Sequence, residues 1–342
     1  MPSLAAWFEF KELRIAISIF LLMLVPVLSV MTLLQIFVPT AEVNRIIVID
    51  HPAAAAPNAE IYVFYLTSAV AHVIVAGLVI SMLRRRFRQN ITDPKRRVLE
   101  IAMYSFMAVI VGLFLVCDAL NTVLGRLSHE RIYRVMERSP LFSPYFRSFP
   151  GAFVGSNSFP GFYPFSILSG GLIILGLIVI VLTCFNLGCD LVVLRNEIRI
   201  NTEMTAIKRK DLDTKIRAFH DYFYILSAVL MTSTIATGFF FRLPLTTIAP
   251  GDVYGSFRDV STAMTICWGV TFSLTMLAMC FYPYFRIQKD LRDLRRDSKV
   301  ANDTELLRWL DDNRTEYVVY TNLKTLLSIF LPAFVAVLSR FI

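Results

Sequence analysis

Long uninterrupted apolar runs are the feature of this sequence that most limits how the chain can fold. The run at 172–182 reads LIILGLIVIVL and contains no polar side chain. A helix of about 20 apolar residues crosses the hydrocarbon core of a bilayer, whereas a membrane-spanning β-strand alternates polar and apolar residues. Only 18% of the residues are charged, against about 25% in soluble domains. The sequence therefore predicts an all-α, polytopic transmembrane helix bundle.

Seven segments are long and apolar enough to be predicted spans. The first is too long for the core of a signal peptide, and no small-residue cleavage site follows it cleanly, so we interpret it as a retained span. We expect the chain 1–342 to form a single transmembrane domain. The predicted spans are 14–38, 60–83, 98–121, 165–194, 220–247, 259–284 and 323–341.

Basic residues are divided unequally between the two sides of these spans. Cytoplasmic segments carry an excess of Lys and Arg. One side, which includes the N-terminal tail and 84–97, holds 25 basic residues, and the other holds nine. We therefore predict an inside N-terminus, an outside C-terminus, cytoplasmic helical extensions at 195–219 and 285–322, and an outer loop at 122–164. We expect a multi-pass protein of the plasma membrane.

The net charge of +8 follows largely from this distribution. Binding to nucleic acid would need a folded basic domain, and the sequence contains none, so we expect no nucleic-acid partner. The segment 84–97 is predicted to be a loop between the second and third spans. Its many basic residues are explained by this position beside two spans, or by binding of anionic membrane lipids. The candidate lipid-binding residues are Arg84, Arg85, Arg86, Arg88, Lys95, Arg96 and Arg97.

Ionisable residues inside predicted spans are few and mark candidate functional positions. His72 lies near the centre of the second span, and Asp118 lies in the outer part of the third. An outward-facing polar cavity with both residues on its wall would suit a ligand or a coupled cation. The alternative is a buried histidine bonded to a neighbouring hydroxyl and an interfacial aspartate. Asp190, His220 and Asp221 lie at cytoplasmic ends and are interpreted as capping or salt-bridge groups.

Hydroxyl and small residues cluster in the fifth and sixth spans, and a proline interrupts the seventh. In the sixth span, helical spacing places Thr262, Thr265, Gly269 and Ser273 on one face, which either packs closely against a neighbour or lines a wet pathway. The proline frees a backbone carbonyl about one turn earlier and kinks the helix. The candidate pathway residues here are Thr232, Thr237, Thr262, Thr265, Ser273 and Pro332.

The outer loop contains the tetrapeptide Ser-Phe-Pro-Gly twice, at 148–151 and at 158–161. Pro-Gly pairs predict turns. The surrounding aromatic side chains form either an interfacial belt or a lid over the mouth of the bundle. The candidate lid or interface residues are Phe149, Phe159 and Tyr163.

The topology of most of the chain resembles that of the insect odorant and gustatory receptor-like superfamily. Segment 302–322, NDTELLRWLDDNRTEYVVYTN, is similar to the cytoplasmic half of that family's split seventh helix, and 323–341 is similar to the pore half. The family's Thr-Tyr and Gln-Phe signature is absent, since Tyr320 and Thr321 stand in the reverse order and no Gln follows. The resemblance implies a cation channel with its pore at a tetramer axis, and no pore residue is carried over.

Enzyme signatures are absent from the sequence. It contains no HExxH, no GxSxG, no phosphate-binding glycine loop and no Cys/His cluster with metal spacing. We therefore expect no enzymatic activity, no cofactor and no metal site. The first hypothesis is a non-enzymatic receptor or ligand-gated ion channel for a small molecule or physical stimulus, working as a homo-oligomer. The alternatives are a proton- or cation-coupled small-solute transporter using His72 and Asp118, and a membrane scaffold that recruits cytoplasmic partners.

Overall fold

The computed structural model describes residues 11–37, 52–90, 93–119, 164–200, 206–246, 252–300, 304, 308 and 323–338. Over these ranges the chain is all-helical, which confirms the all-α part of the predicted fold class. The helices of more than one turn are α1 (Lys11–Phe37), α2 (Pro52–Asn90), α3 (Asp93–Ala119), α4 (Pro164–Ile200), α5 (Ala206–Arg242), α6 (Asp252–Val300) and α7 (Leu323–Leu338), with a 3-10 turn at Leu243–Thr246.

Each helix contains most or all of one predicted span, in chain order, but most helices are longer than the spans. Helix α2 continues to Asn90 and α3 begins at Asp93, so the basic segment 84–97 is mostly helical rather than a loop. Hydropathy marks where a helix becomes polar, whereas Arg and Gln are good helix formers and let it continue. Likewise α4 ends at Ile200 and α6 at Val300. The cytoplasmic location of these extensions stays a prediction.

Five stretches of the described helices are long and apolar enough to cross a membrane. They are Lys11–Ser29, Val63–Gln89, Gly170–Leu194, Phe219–Arg242 and Ser261–Asp293. Helix α7 adds the shorter apolar stretch Leu326–Leu338. These helices indicate a membrane-embedded, multi-pass protein, while crossing by α3 and α7 stays a prediction.

Helix α4 lies at the centre of the bundle, where it contacts α1, α2, α3, α5 and α6. Most of its side chains from Val179 to Leu194 are buried. The outer helices expose large apolar side chains, as expected where lipid replaces water as the solvent. Examples are Leu21 on α1, Leu78 on α2, Ile101 on α3 and Phe334 on α7.

Contacts between helix ends show how the chain runs through the bundle. A Cβ added to Gly188, near the end of α4, would lie 2.7 Å from the Glu12 carbonyl oxygen at the start of α1. Asp190 contacts Arg86, near the end of α2, and Tyr222 in the first half of α5. We call this the Asp190 end of the bundle. Helices α1 and α5 therefore run away from this end, whereas α2 and α4 run toward it, which is the relative order that the predicted spans require.

Candidate functional site

Pro332 interrupts α7, and a side chain of α5 compensates for the missing amide. Proline has no N–H, so the Ser328 carbonyl loses the donor that the residue four positions later would supply. The Ser227 hydroxyl of α5 donates to this carbonyl at 2.7 Å. Both serines are buried. The carbonyl affected by the proline is therefore bonded to a neighbouring helix.

A second neighbour holds the other side of the proline. The backbone N–H of Ala333 donates to the Ser273 hydroxyl oxygen of α6 at 3.1 Å, and Ser273 is buried. Hydroxyl groups of neighbouring helices are a recognised means of satisfying backbone groups around a proline in a membrane helix. We call Ser227, Ser273, Ser328, Pro332 and Ala333 the Pro332 clamp. It ties α7 to both α5 and α6.

Glycine allows α6 and α7 to approach closely beside the clamp. A Cβ added to Gly269 would overlap the Ala336 methyl group and would lie 2.7 Å from the Pro332 carbonyl oxygen. Between α5 and α6, a Cβ added to Gly238 would lie 2.9 Å from Cγ2 of Thr265. These are close contacts between small residues of the kind that packs helices within membranes.

Thr265, one of the threonines of the predicted pathway, lies in this packed region. Thr265 is buried and donates to the Ser261 carbonyl of its own helix at 2.8 Å. Thr262 is also buried on α6, and Thr237 is half-buried on α5. A threonine bonded to its own helix needs no water partner. The contacts of Thr265 fit the packing interpretation of this face, and a pathway role for the threonines stays a prediction.

His72 occupies a second polar position, toward the opposite end from Asp190. Its Nδ1 lies 2.9 Å from the Thr232 hydroxyl oxygen of α5, and its Nε2 lies 3.3 Å from the Leu172 carbonyl oxygen of α4. The histidine has no exposed surface. It therefore bonds to a neighbouring hydroxyl, one of the two alternatives for this residue. Asp118 belongs to α3, but its side chain lies outside the described residues, so the pairing with His72 stays a prediction.

A charged cluster at the Asp190 end joins α2, α4 and α5. Arg86 Nη2 lies 3.2 Å from Asp190 Oδ2, and the Tyr222 hydroxyl donates to the same oxygen at 2.7 Å. The Arg86 guanidinium also stacks over the Tyr222 ring, 4.3 Å from its centroid. Asp190 is thus a salt-bridge partner of the basic segment, as predicted. Tyr222 had no distinguishing signal in the sequence.

The other candidate lipid-binding residues differ in their surroundings. Arg88 pairs with Glu100 of α3 at 3.1 Å on an exposed surface. Arg84, Arg85 and Arg97 are exposed, and Arg86 is half-buried in the Asp190 cluster. The side chains of Lys95 and Arg96 lie outside the described residues. Lipid binding at this surface stays a prediction.

Two regions that were predicted from the sequence to be functionally important lie outside the described residues. They are the outer loop 122–163, with Phe149, Phe159 and Tyr163, and the segment 302–322 apart from the helical residues Thr304 and Arg308. The structure therefore does not test the predicted lid, nor the similarity of 302–322 to the cytoplasmic half of a split seventh helix.

Within the ranges that the structure describes, no group of three or more His, Cys, Asp or Glu side chains is arranged to hold a metal ion.

No protein-family model, curated protein or solved structure matches the chain. The Pro332 clamp and His72 are therefore the features of the described residues that point to a function. Sequence reasoning singled out Pro332, Ser273 and His72 but missed Ser227. The rule that a proline affects the carbonyl four residues earlier could have named Ser328.

Proposed function

We propose that this protein is a non-enzymatic membrane receptor or ligand-gated ion channel in which α7 moves relative to α5 and α6. The Pro332 clamp is the observation that carries this proposal. Hydrogen bonds between membrane helices contribute about 0.6 kcal/mol on average. Two such bonds are strong enough to favour one position of α7 and weak enough for a ligand to overcome by binding the alternative state a few kcal/mol more tightly.

The proposed channel has seven spans, an inside N-terminus and an outside C-terminus. Exposed basic side chains of the described helices support this orientation, because several of them lie near the ends predicted to be cytoplasmic. They include Arg84 and Arg85 on α2, Arg97 on α3, and Lys289 and Arg292 on α6. Anionic lipid of the cytoplasmic leaflet is the proposed contact of this surface, and the plasma membrane is the proposed location.

The outward face of α7 suits a homo-oligomer. Phe330 is 51% exposed and Phe334 is 59% exposed, and Leu327 and Val337 extend the same apolar stripe. Of the clamp residues on this helix, Ser328 and Pro332 are buried and Ala333 is half-buried. In an oligomer with α7 toward a central axis, this stripe would form an apolar constriction, which can close a pore by excluding water.

The proposal is tested by recording from the purified full-length chain in planar bilayers. We expect discrete ionic currents that are absent from bilayers prepared with detergent alone, and a defined oligomer in the same preparation. A folded preparation that gives no current, with or without a panel of small apolar and polar ligands, contradicts the channel form of the proposal.

A proton- or cation-coupled transporter is the second candidate, and the position of His72 favours it. A buried histidine that contacts two other helices is a typical element of proton relays in transporters. For this function we expect solute uptake into proteoliposomes that depends on a proton gradient and is lost in His72→Gln. Discrete currents unchanged by both His72→Gln and Asp118→Asn contradict it.

A further inference from the structure

The ring of His72 is surrounded by oxygen atoms of two neighbouring helices. Its Nε2 faces the Leu172 carbonyl of α4 at 3.3 Å, and its Nδ1 faces the Thr232 hydroxyl of α5 at 2.9 Å. The carbonyl of Val229 on α5 lies 2.9 Å from the same Thr232 hydroxyl oxygen. Carbonyl oxygens can only accept hydrogen bonds, whereas a hydroxyl can donate or accept. Thr232 is therefore the adaptable member of this set.

These partners determine where the protons of the neutral ring lie. A hydrogen bond to the Leu172 carbonyl requires a proton on Nε2. In the neutral imidazole, Nδ1 then carries a lone pair, and the Thr232 hydroxyl donates to it. This is a complete set of bonds for the uncharged histidine.

The same heavy atoms also fit the charged ring. When Nδ1 gains a proton, the ring donates from both nitrogens, and Thr232 becomes the acceptor. Its own hydrogen then turns to the Val229 carbonyl, which lies 2.9 Å from the Thr232 oxygen. Rotation of one hydroxyl hydrogen converts one bonded state into the other, and no helix has to move.

Other titratable side chains are distant along the helices packed around the ring. The nearest described carboxylates on these helices are Glu60 on α2, Asp190 on α4 and Asp221 on α5. Each lies at least two helical turns, about 11 Å, along its helix from the residues that contact the ring. The nearest other titratable or charged side chains along the three helices are Tyr65, Arg84, Cys184, Tyr224 and Arg242. The polar groups that face the ring are therefore backbone and hydroxyl oxygens rather than a carboxylate.

We propose that His72 is a proton-binding site in the membrane, and that the Thr232 hydroxyl switches between donor and acceptor as the proton binds and leaves. The positions of Leu172 and Thr232 at the ring, and of the Val229 carbonyl beside the Thr232 hydroxyl, carry this assignment. It does not depend on the proposed receptor or channel function, because a receptor, a channel or a transporter can each use such a site.

The test is ¹⁵N NMR of the histidine-labelled full-length chain in lipid nanodiscs, recorded between about pH 5 and pH 8, where a histidine ordinarily titrates. The His72 signals are assigned as those missing from His72→Gln. In the wild type we expect Nε2 to be protonated throughout and Nδ1 to gain its proton on acidification. In Thr232→Val, both states of the ring lose a hydrogen bond, but the bond to the charged ring is the stronger of the two, so we expect the midpoint of this transition to fall by about one pH unit.

Two matched variants serve as controls. Thr232→Ser keeps the hydroxyl, and Thr237→Val removes a hydroxyl of the same helix that does not contact the ring, so both should titrate like the wild type. A neutral ring protonated on Nδ1, a ring that gains no second proton over this range, or a midpoint unmoved by Thr232→Val overturns the proposal. The first two results are read from wild-type spectra, so the only variant that they require is His72→Gln, which assigns the signals.

Discussion

Gly269 shows how much a single residue determines at the contact between α6 and α7. Its missing side chain leaves the space that the Ala336 methyl and the Pro332 carbonyl occupy. The sequence placed Gly269 on the small-residue face of α6 but could not name its partner, because the rotation of α7 about its axis is set by packing.

The bond of His72 to a hydroxyl was one of the sequence alternatives, but nothing in the sequence selects Thr232 among the many hydroxyl groups available.

We expect Gly269→Ala to destabilise the protein by about 1–3 kcal/mol, because the added methyl group overpacks this crossing. The measurement is thermal or denaturant unfolding in detergent. Gly77→Ala is the matched control, since a Cβ at Gly77 on α2 meets no atom within 4 Å. Replacing that exposed helical glycine should be neutral or slightly stabilising. Equal losses in the two variants would show that α6 and α7 do not cross as closely as described.

The charged residues at the Asp190 end allow a second comparison at this scale. Asp190 is 12% exposed and holds both Arg86 and Tyr222, whereas the pair of Arg88 and Glu100 is more exposed. Removing one member of a shielded pair leaves its partner's charge without compensation, but an exposed pair contributes only about 0–1 kcal/mol. We expect Asp190→Ala to lower the unfolding free energy by more than Glu100→Ala does. Equal or reversed losses contradict the assigned geometry.

At the scale of the elements, helix order was predictable from hydropathy, whereas helix ends and helix partners were not. Hydropathy predicted a helix in each span but a loop at 84–97, because a helix was assumed to end where its residues become polar. The structure continues α2 to Asn90. The contact of α7 with both α5 and α6 is also invisible in the sequence, since the apolar faces of these helices have many equivalent partners.

The Pro332 clamp makes a prediction about coupling between helices. Pro332→Ala restores the N–H that donates to the Ser328 carbonyl within α7. The Ser227 hydroxyl then becomes less necessary, so Ser227→Ala should cost less in the Pro332→Ala background than in the wild type. A double-mutant cycle of unfolding free energies should give a coupling of about 0.5–3 kcal/mol. Additive losses would show that Ser227 does not compensate for the proline.

At the scale of the whole molecule, the predicted orientation can be tested by N-glycosylation in a eukaryotic expression host. Phe146→Asn creates the acceptor sequence Asn-Arg-Ser at 146–148 in the outer loop. We expect this variant to gain one glycan, seen as a mass shift that a glycosidase removes. The natural acceptor sequences at Asn90, Asn302 and Asn313 lie on the predicted cytoplasmic side and should stay unmodified. Glycans at these natural positions, with none at 146, would reverse the topology.

Single-channel recording of Pro332→Ala beside the wild type is the most direct test of the central claim that α7 moves about the clamp. The two clamp bonds together contribute about 1.2 kcal/mol, close to the energy of about 1.4 kcal/mol that corresponds to a tenfold change in an equilibrium. We therefore predict that Pro332→Ala changes the ratio of open to closed time by about tenfold, while Gly77→Ala leaves it unchanged. Identical open and closed times in the wild type and Pro332→Ala, from protein shown to be folded, would contradict the account.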